Sequence, residues 1–287
     1  MDEPLLVNYR IQGVWENIDF HSHREYEVFL FHSGTCRYLI HNQIYDLEPG
    51  DVLLMDGLAL HKPNVPPNSP YVRSHVHFSP QWLKGMLQAV GAEYLLDLFE
   101  KHHHYFIRTK ENEEFKHLVE VTGQLAELKR KADPADRTAE VEMKALLLQV
   151  LASVHRLGRV ESNNLPTHKA EKAEHAENIA KYIQENFMEK LTIDSIAEAL
   201  SISKSYVSHV FKEMTGFTVM EYVMSSRLTQ AKYLLEAEPD KPLKDIACES
   251  GFESVSHFSR YFKSKVGVTA KEYRRQRLKI YGEENEL

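Results

Sequence analysis

Two segments in the last third of the chain repeat one another. Leu191–Arg227, LTIDSIAEALSISKSYVSHVFKEMTGFTVMEYVMSSR, is echoed by Leu243–Arg277, LKDIACESGFESVSHFSRYFKSKVGVTAKEYRRQR. Ile196-Ala197 matches Ile246-Ala247 at a shift of 50. One extra residue in the second turn then moves Phe211-Lys212, Gly216, Thr218 and Tyr222 onto Phe262-Lys263, Gly267, Thr269 and Tyr273 at a shift of 51. A register held this long means one supersecondary unit built twice. In each copy an amphipathic segment (Ile193, Ile196, Ala197, Leu200; then Leu243, Ile246, Ala247) stops at a short turn. A second helix follows, with apolar positions Val207, Val210, Phe211 or Phe258, Tyr261, Phe262. Ser203 and Ser254 stand where a hydroxyl accepts from the first free backbone amides of a helix. Gly251, in the second turn, and Gly216 and Gly267, after the second helices, suit positive φ. Between the copies, Val219–Glu236 places Tyr222, Val223, Leu228, Ala231, Leu234 and Leu235 on one stripe, predicting a connecting helix of roughly 27 Å.

Charge is unevenly spread over the 287 residues. The whole chain carries a net charge of −7, which argues against indiscriminate coating of nucleic acid. Phe258–Lys279 nevertheless holds eight basic residues against Glu272 alone, a local candidate for phosphate binding.

The tandem resembles the DNA-binding domain of the AraC/XylS family of bacterial transcription regulators. The second copy, DIACESGFESVSHFSRYFKSKVGVTAKEYR, is similar to the family signature through its Gly-Phe turn, its Phe-Ser-Arg-x-Phe-Lys helix and its Tyr-Arg ending, with Ala270 where Pro is common. The resemblance puts Ser205, Tyr206, Ser208 and His209, then Val255, Ser256, His257 and Arg260, on helices that face the major groove. Arg260 suits a bidentate contact to guanine, Ser and His can donate to base edges, and Val255 can meet a thymine methyl. Lys204, Lys212 and Lys263 are expected on phosphates. Recognition helices entering successive major grooves stand about 34 Å apart, the order of length the connecting helix supplies.

The region before residue 80 holds seven histidines among alternating apolar and polar residues with Gly and Pro turns, a pattern of antiparallel strands. Strands are expected near Glu27–Phe31, Thr35–His41, Gln43–Leu47, Asp51–Met55 and Val72–Phe78, closing a small barrel or sandwich. HSHREYEVFLFHSG brings His21, His23 and Glu27, all odd-numbered, onto one face of a regular strand. EPGDVLLMDGLALH then brings His61 eleven residues after Gly50. These segments resemble the two cupin motifs, and a cupin barrel is the usual sensor of the AraC family. Three imidazoles and a carboxylate are a ligand set for a divalent first-row metal, Zn, Fe, Mn or Ni. His75 and His77 share a face of a later strand, as hydrogen-bonded barrel residues first and as lining of a ligand pocket second. Arg24, Tyr26, Arg37, Tyr38 and Arg73 are candidates for recognising a polar ligand.

Residues 111–131 and 139–157 read as two amphipathic helices joined at Asp133-Pro134. Their place in the family implies a homodimer interface, with packing on their own barrel as the simpler alternative. Residues 161–175 are polar with a Pro and read as a linker. The run His102–His104 reads as a surface loop. The expected architecture is α+β: a cupin-like sensing and dimerisation barrel with two helices over 1–160, the linker, and an all-α tandem helix-turn-helix domain over 176–287. The longest apolar run, Ala145–Ala152, is too short to span a membrane. The start MDEPLLVNYR lacks the features of a secretory leader, which points to the cytoplasm. Cys36 and Cys248 suggest no disulfide framework and read as ordinary packed residues. The leading expectation is a non-enzymatic regulator bound to double-stranded promoter DNA. A polar effector such as a sugar would control it, and RNA polymerase would be a partner if it activates. The competing one is a cupin metalloenzyme, an isomerase or dioxygenase, carrying a DNA-binding module; no separate acid, base or nucleophile constellation supports it.

Overall fold

Short strands, most of them buried on both faces, build the first half of the molecule. The computed structural model describes residues 3–13, 25–56, 60–101, 104–133, 135–161 and 171–282. Its strands are β1 (Leu5–Gln12), β2 (Tyr26–Gly34), β3 (Arg37–Ile40), β4 (Gln43–Asp46), β5 (Asp51–Met55), β6 (His61–Asn64), β7 (Tyr71–Phe78) and β8 (His104–Arg108). Five form an antiparallel sheet in the order β1-β7-β2-β5-β8, and three form a second sheet, β4-β3-β6.

Period-two geometry gives the larger sheet two different faces. Phe29, Phe31, Leu53, Met55, Tyr71 and Phe106 meet Tyr38, Ile40 and Tyr45 of the smaller sheet in one aromatic interior. Phe29 packs edge-on to Tyr38 at 5.1 Å and Tyr45 stacks on Phe106 at 5.0 Å. The chain crosses between sheets at Gly34, whose φ is +108° and where a Cβ would lie 1.9 Å from the Pro70 carbonyl oxygen, so only glycine fits. The two sheets face each other, but no ladder joins them into a closed barrel among the described residues.

The other face, with Val28, Leu30, Val52, Leu54, Val76 and Phe78, is covered by helices. These are α1 (Pro80–Val90), a 3₁₀ turn at Glu93–Leu96, α2 (Asp97–Glu100), α3 (Glu113–Lys131) and α4 (Arg137–Glu161). Phe115, Leu118, Leu125, Leu147, Val150, Leu151 and Val154 form the apolar stripes of the two expected amphipathic helices, buried against this face and against each other, while Val141 of α4 is 60% exposed. His104, read as part of a surface loop, opens β8, while 102 and 103 lie outside the described residues.

The second half is α5 (Glu171–Asn186), α6 (Ile193–Ala199), α7 (Lys204–Thr215), α8 (Val219–Ala237), α9 (Leu243–Glu249), α10 (Val255–Val266) and α11 (Ala270–Gly282). The chain thus divides into two compact units, 1–170 without His41–Gln43, and the helical unit from Glu171. Residues 171–175, read as the end of a linker, are the first turn and more of α5. Ala173 and Ala176 continue the buried stripe of Ile179, Ala180 and Ile183, and small alanines among charges carry little hydropathy signal. Cys36 is buried, whereas Cys248, read as packed, is exposed; neither is in a disulfide. No helix among the described residues is long and apolar enough to cross a membrane.

His32 lies on the helix-facing side of β2, with Nε2 2.7 Å from Ser74 Oγ and its ring near Phe115. Burial, reinforced by the Arg10 charge, pushes its pKa down from 6.5 to about 4. The fold therefore needs the neutral ring. Its contribution to stability is complete above pH 6.5, the unfolded value, and is lost as pH falls toward 4, because the unfolded chain then binds a proton the native state refuses. In His32→Gln the fall in Tm across that pH window is expected to be shallower than in the parent, measured by thermal unfolding at stepped pH; parallel slopes would refute this assignment.

Candidate functional site

The polar part of the aromatic interior gathers around Glu27. The β2–β7 register sets Glu27 opposite His77 and Phe29 opposite His75, so both histidines project from the same face as the carboxylate. His61 reaches it from β6 of the facing sheet. Glu27 Oε1 lies 3.4 Å from His77 Nε2, and Oε2 lies 3.3 Å from His61 Nε2. One ligand atom each of Glu27, His75 and His77 falls within 4.8 Å of the others. All four side chains are buried, at 1–6% exposure. Asn8 Nδ2 is 2.8 Å from His75 Nε2 and holds that ring from β1. A carboxylate so enclosed needs compensating positive charge or donors, since a buried uncompensated charge costs several kcal/mol.

Around this centre the interior is weakly acidic. Burial, with Glu27 as the first charge adding to it, pushes the Tyr38 hydroxyl well above its usual range. Burial likewise pushes the Cys36 thiol up to about 12, so neither group supplies a nucleophile at neutral pH. Arg73 is fully enclosed: its Nη1 donates to the Gly13 carbonyl at 2.6 Å and its guanidinium lies 4.4 Å over the Tyr71 ring.

The residues singled out from sequence are distributed as follows. Glu27 and His61 are brought together; His21, His23 and Arg24 lie outside the described residues. Tyr38 lines the interior, its ring 6.4 Å from and nearly parallel to His61. Tyr26 does not: it is even-numbered on β2, faces the helices and stacks on Phe99 at 4.9 Å. Arg37 does not either, because it forms a bidentate pair with Asp46 on the β3–β4 hairpin, at 2.7 and 3.2 Å. His75 and His77 stand beside the carboxylate, closer to it than their reading as scaffold histidines implies. The signal for this was their two-residue spacing; what the sequence lacked was the pairing of β7 with β2.

In the helical unit the repeat returns as repeated geometry. Ser203 Oγ accepts from Tyr206 N at 3.2 Å and Ser254 Oγ from His257 N at 3.1 Å. Thr218 with Glu221, and Thr269 with Glu272, form matching reciprocal caps at the start of α8 and α11. Phe211 meets Tyr222 edge-on at 5.4 Å, and Phe262 meets Tyr273 at 5.5 Å. Gly216, Gly251 and Gly267 all have positive φ.

Ser205, His209 and Lys212 are exposed on α7, and Ser208 is half-buried, at the three- and four-residue spacing of one helix face. On α10, Ser256, Ser259, Arg260 and Lys263 are exposed at the equivalent positions, with Val255 exposed at the helix start and His257 half-buried beside Phe252. Tyr206 departs from the face proposed for it. Its hydroxyl is 2.7 Å from His175 Nδ1, which turns the ring toward α5. Lys204 pairs with Asp194. The basic run is also partly internal: Arg274 donates to the Lys241 carbonyl at 2.7 Å, and Arg277 pairs with Glu236 at 3.6 Å. Arg260, Lys263, Lys265, Lys271 and Arg275 remain at the surface.

Arg227, buried in α8, holds the two copies in one frame. Its Nε donates to the Phe187 carbonyl and its Nη2 to the Glu189 carbonyl, each at 2.8 Å, satisfying two carbonyls of the turn that follows α5. Gly251 of the second turn approaches so closely that a Cβ there would lie 2.7 Å from the Phe187 carbonyl oxygen and 3.0 Å from Arg227 Nε. Arg227→Ala strands two carbonyls and is expected to cost about 2–4 kcal/mol of stability, seen as a lower urea midpoint. An unchanged midpoint would show that water replaces the guanidinium without loss.

Comparison with known proteins bears on both halves. A family model described as "AraC-like ligand binding domain" matches residues 8–151, and a "Helix-turn-helix domain" model matches residues 196–276. The chain is 23% identical over 264 residues to the HTH-type transcriptional activator RhaR of Yersinia pseudotuberculosis, covering 89% of this chain and 84% of that protein. It is 31% identical over 113 residues to the melibiose operon regulatory protein of Escherichia coli, covering 38% and 37%. The first curated relatives it matches are covered over only 13–35% of their own length. Among solved structures, ToxT of Vibrio cholerae superimposes with a TM-score of 0.39 at 17% identity, over 95% of this chain and 97% of that one.

Proposed function

The chain belongs to the AraC family of transcription regulators, and from that premise we propose that it binds promoter DNA through α7 and α10 under the control of a small polar effector held between its two sheets. The observation that carries this reading is the pair of equivalent polar helix faces, Ser205, Ser208, His209 and Lys212 on α7 and Ser256, Ser259, Arg260 and Lys263 on α10, with Val255 exposed at the start of the second. Each is set by the same Ser cap and backed by the same aromatic pair. Duplicate helices of one chemistry, joined by a rigid helix of 19 residues, suit two adjacent major-groove segments.

The interior supports the effector half of the proposal. Imidazole, carboxylate and phenol groups on an aromatic ground suit a hydroxyl-rich molecule such as a sugar, and the melibiose operon regulator is a relative. An effector alters DNA affinity only by binding one arrangement of the protein better than another. A homodimer suits the exposed apolar residues Val90, Tyr94 and Val141 on the helical side of the sensor unit. For the alternative of a cupin enzyme, the thiol and phenols of the interior are held protonated and supply no nucleophile.

Titration of the full chain onto DNA from upstream of its own gene, at fixed salt with excess nonspecific competitor, tests this. Competitor-resistant binding is expected. Arg260→Ala should then cost about 1–3 kcal/mol of operator affinity and relax preference at one base position. Lys212→Ala and Lys263→Ala should weaken binding evenly across sequences and lower the salt slope by about 1 each. Binding no tighter than to random DNA, with and without cell metabolites, would overturn the reading.

A further inference from the structure

We propose that the interior of the sensor unit is a divalent transition-metal site built from Glu27, His75 and His77, with His61 holding the second carboxylate oxygen. This rests on reading that interior as the regulator's sensing site and names a ligand class for it. The set differs from the sequence-spaced group of His21, His23, Glu27 and His61, since two of its members come from β7.

Three observations converge. The first is topological. Glu27 and His77 are direct cross-strand partners and His75 is the next residue on the same face, so one rigid pair of central strands presents all three groups. Sites on regular strands are held more tightly than sites on loops. The second is distance. Histidine donating to a carboxylate as a charged pair closes to about 2.7–2.9 Å. Here the Glu27–His77 separation is 3.4 Å. That is long for such a bond and close to the ligand-to-ligand edge of about 3.3 Å that follows from tetrahedral bonds of about 2.0–2.1 Å. The third is the support around the ligands. His61 faces the carboxylate oxygen that His77 does not, and such a group behind a ligating carboxylate is an outer contact that orients metal ligands. Asn8 lies against His75 Nε2 at 2.8 Å, so His75 would ligate through Nδ1, with the Asn8 amide turned to accept from Nε2–H.

The chemistry selects the ion. Two imidazoles and one carboxylate with no thiolate suit Zn, Fe, Co, Ni or Mn rather than Ca or Cu(I). Three protein ligands leave open positions, so an oxygen-rich effector can complete the coordination sphere.

Cobalt is the probe. The full chain is stripped with a chelator and titrated with Co²⁺ while visible absorption and thermal unfolding are followed. One equivalent is expected, with d–d bands of nitrogen and oxygen ligation, no thiolate charge-transfer band, and a raised Tm. Glu27→Gln, His75→Gln and His77→Gln should each weaken uptake by roughly tenfold or more, while His21→Ala/His23→Ala retains it. Should those variants fold poorly, X-ray absorption of the cobalt-loaded parent still counts its ligands, and two imidazoles are required. The proposal is overturned by a folded parent that takes up no cobalt, by uptake that survives in Glu27→Gln/His77→Gln, or by uptake lost in His21→Ala/His23→Ala. Operator binding is measured on the same samples. Cobalt uptake without any operator binding supports the site while refuting the regulator reading, and operator binding without uptake does the reverse.

Discussion

The sensor unit depends on the register of β2 against β7. With a side-chain period of two, that register decides that Glu27, Phe29 and Phe31 share a face with Arg73, His75 and His77, and that Val28 and Leu30 share the other with Val76 and Phe78. A slip of one residue would send the carboxylate to the helices and the aliphatic residues to the interior. Two devices prevent it. Burial on both faces makes every alternative register expensive, and the turn out of β2 is locked by Gly34, whose backbone lies against Pro70 at the start of β7.

The helical unit solves a different problem, that of keeping two small, separately capped helix pairs in one frame. Its solution is α8. Tyr222 and Val223, near its start, belong to the core of the first pair, while Leu228, Ala231, Leu234 and Leu235, further along, belong to the core of the second. Between these blocks sits Arg227, which turns the spare hydrogen-bonding capacity of the turn after α5 into an anchor beside Gly251. The guanidinium is used for its planar, multiple-donor geometry, which a lysine cannot reproduce.

Legibility of the fold in the sequence followed the strength of local periodicity. The helix-turn-helix pairs, their Ser caps and the connecting helix were readable because the repeat doubles every signal. Strands that read as short apolar runs bounded by turn signals, such as Asp51–Met55, were readable too. Three strands were not. β1 carries an irregularity between Asn8 and Ile11 that breaks its alternation, β6 is four residues long and contains Pro63, and β8 begins inside a run of histidines. Each lacks the periodic signal for a physical reason. Of the candidate interior, Glu27 and His61 were readable from motif spacing, while Tyr38 was a candidate whose orientation the sequence left open. The roles of Tyr26 and Arg37 were not, since Tyr26 takes the even-numbered face and Arg37 has a nearer partner in Asp46. His75 and His77 required long-range pairing, which no local pattern reports.

That pairing also gives the interior a mechanical route outward. On β2 and β7, residues that face Glu27 alternate with residues of the helix-packed core, so the two faces share a backbone. A ligand that draws Glu27 and His77 together acts on the same strands that carry Val28, Val76 and Phe78 into contact with the helical layer. Densely packed cores pass such displacements on rather than absorbing them. His61 adds the facing sheet to the same linkage, because the carboxylate it shares with His77 ties β6 to β7 across the interior. The difference in ligand affinity between two arrangements of the sheets is itself the free energy available for control, and it is bounded by how tightly those few buried groups hold the ligand in one arrangement and not in the other.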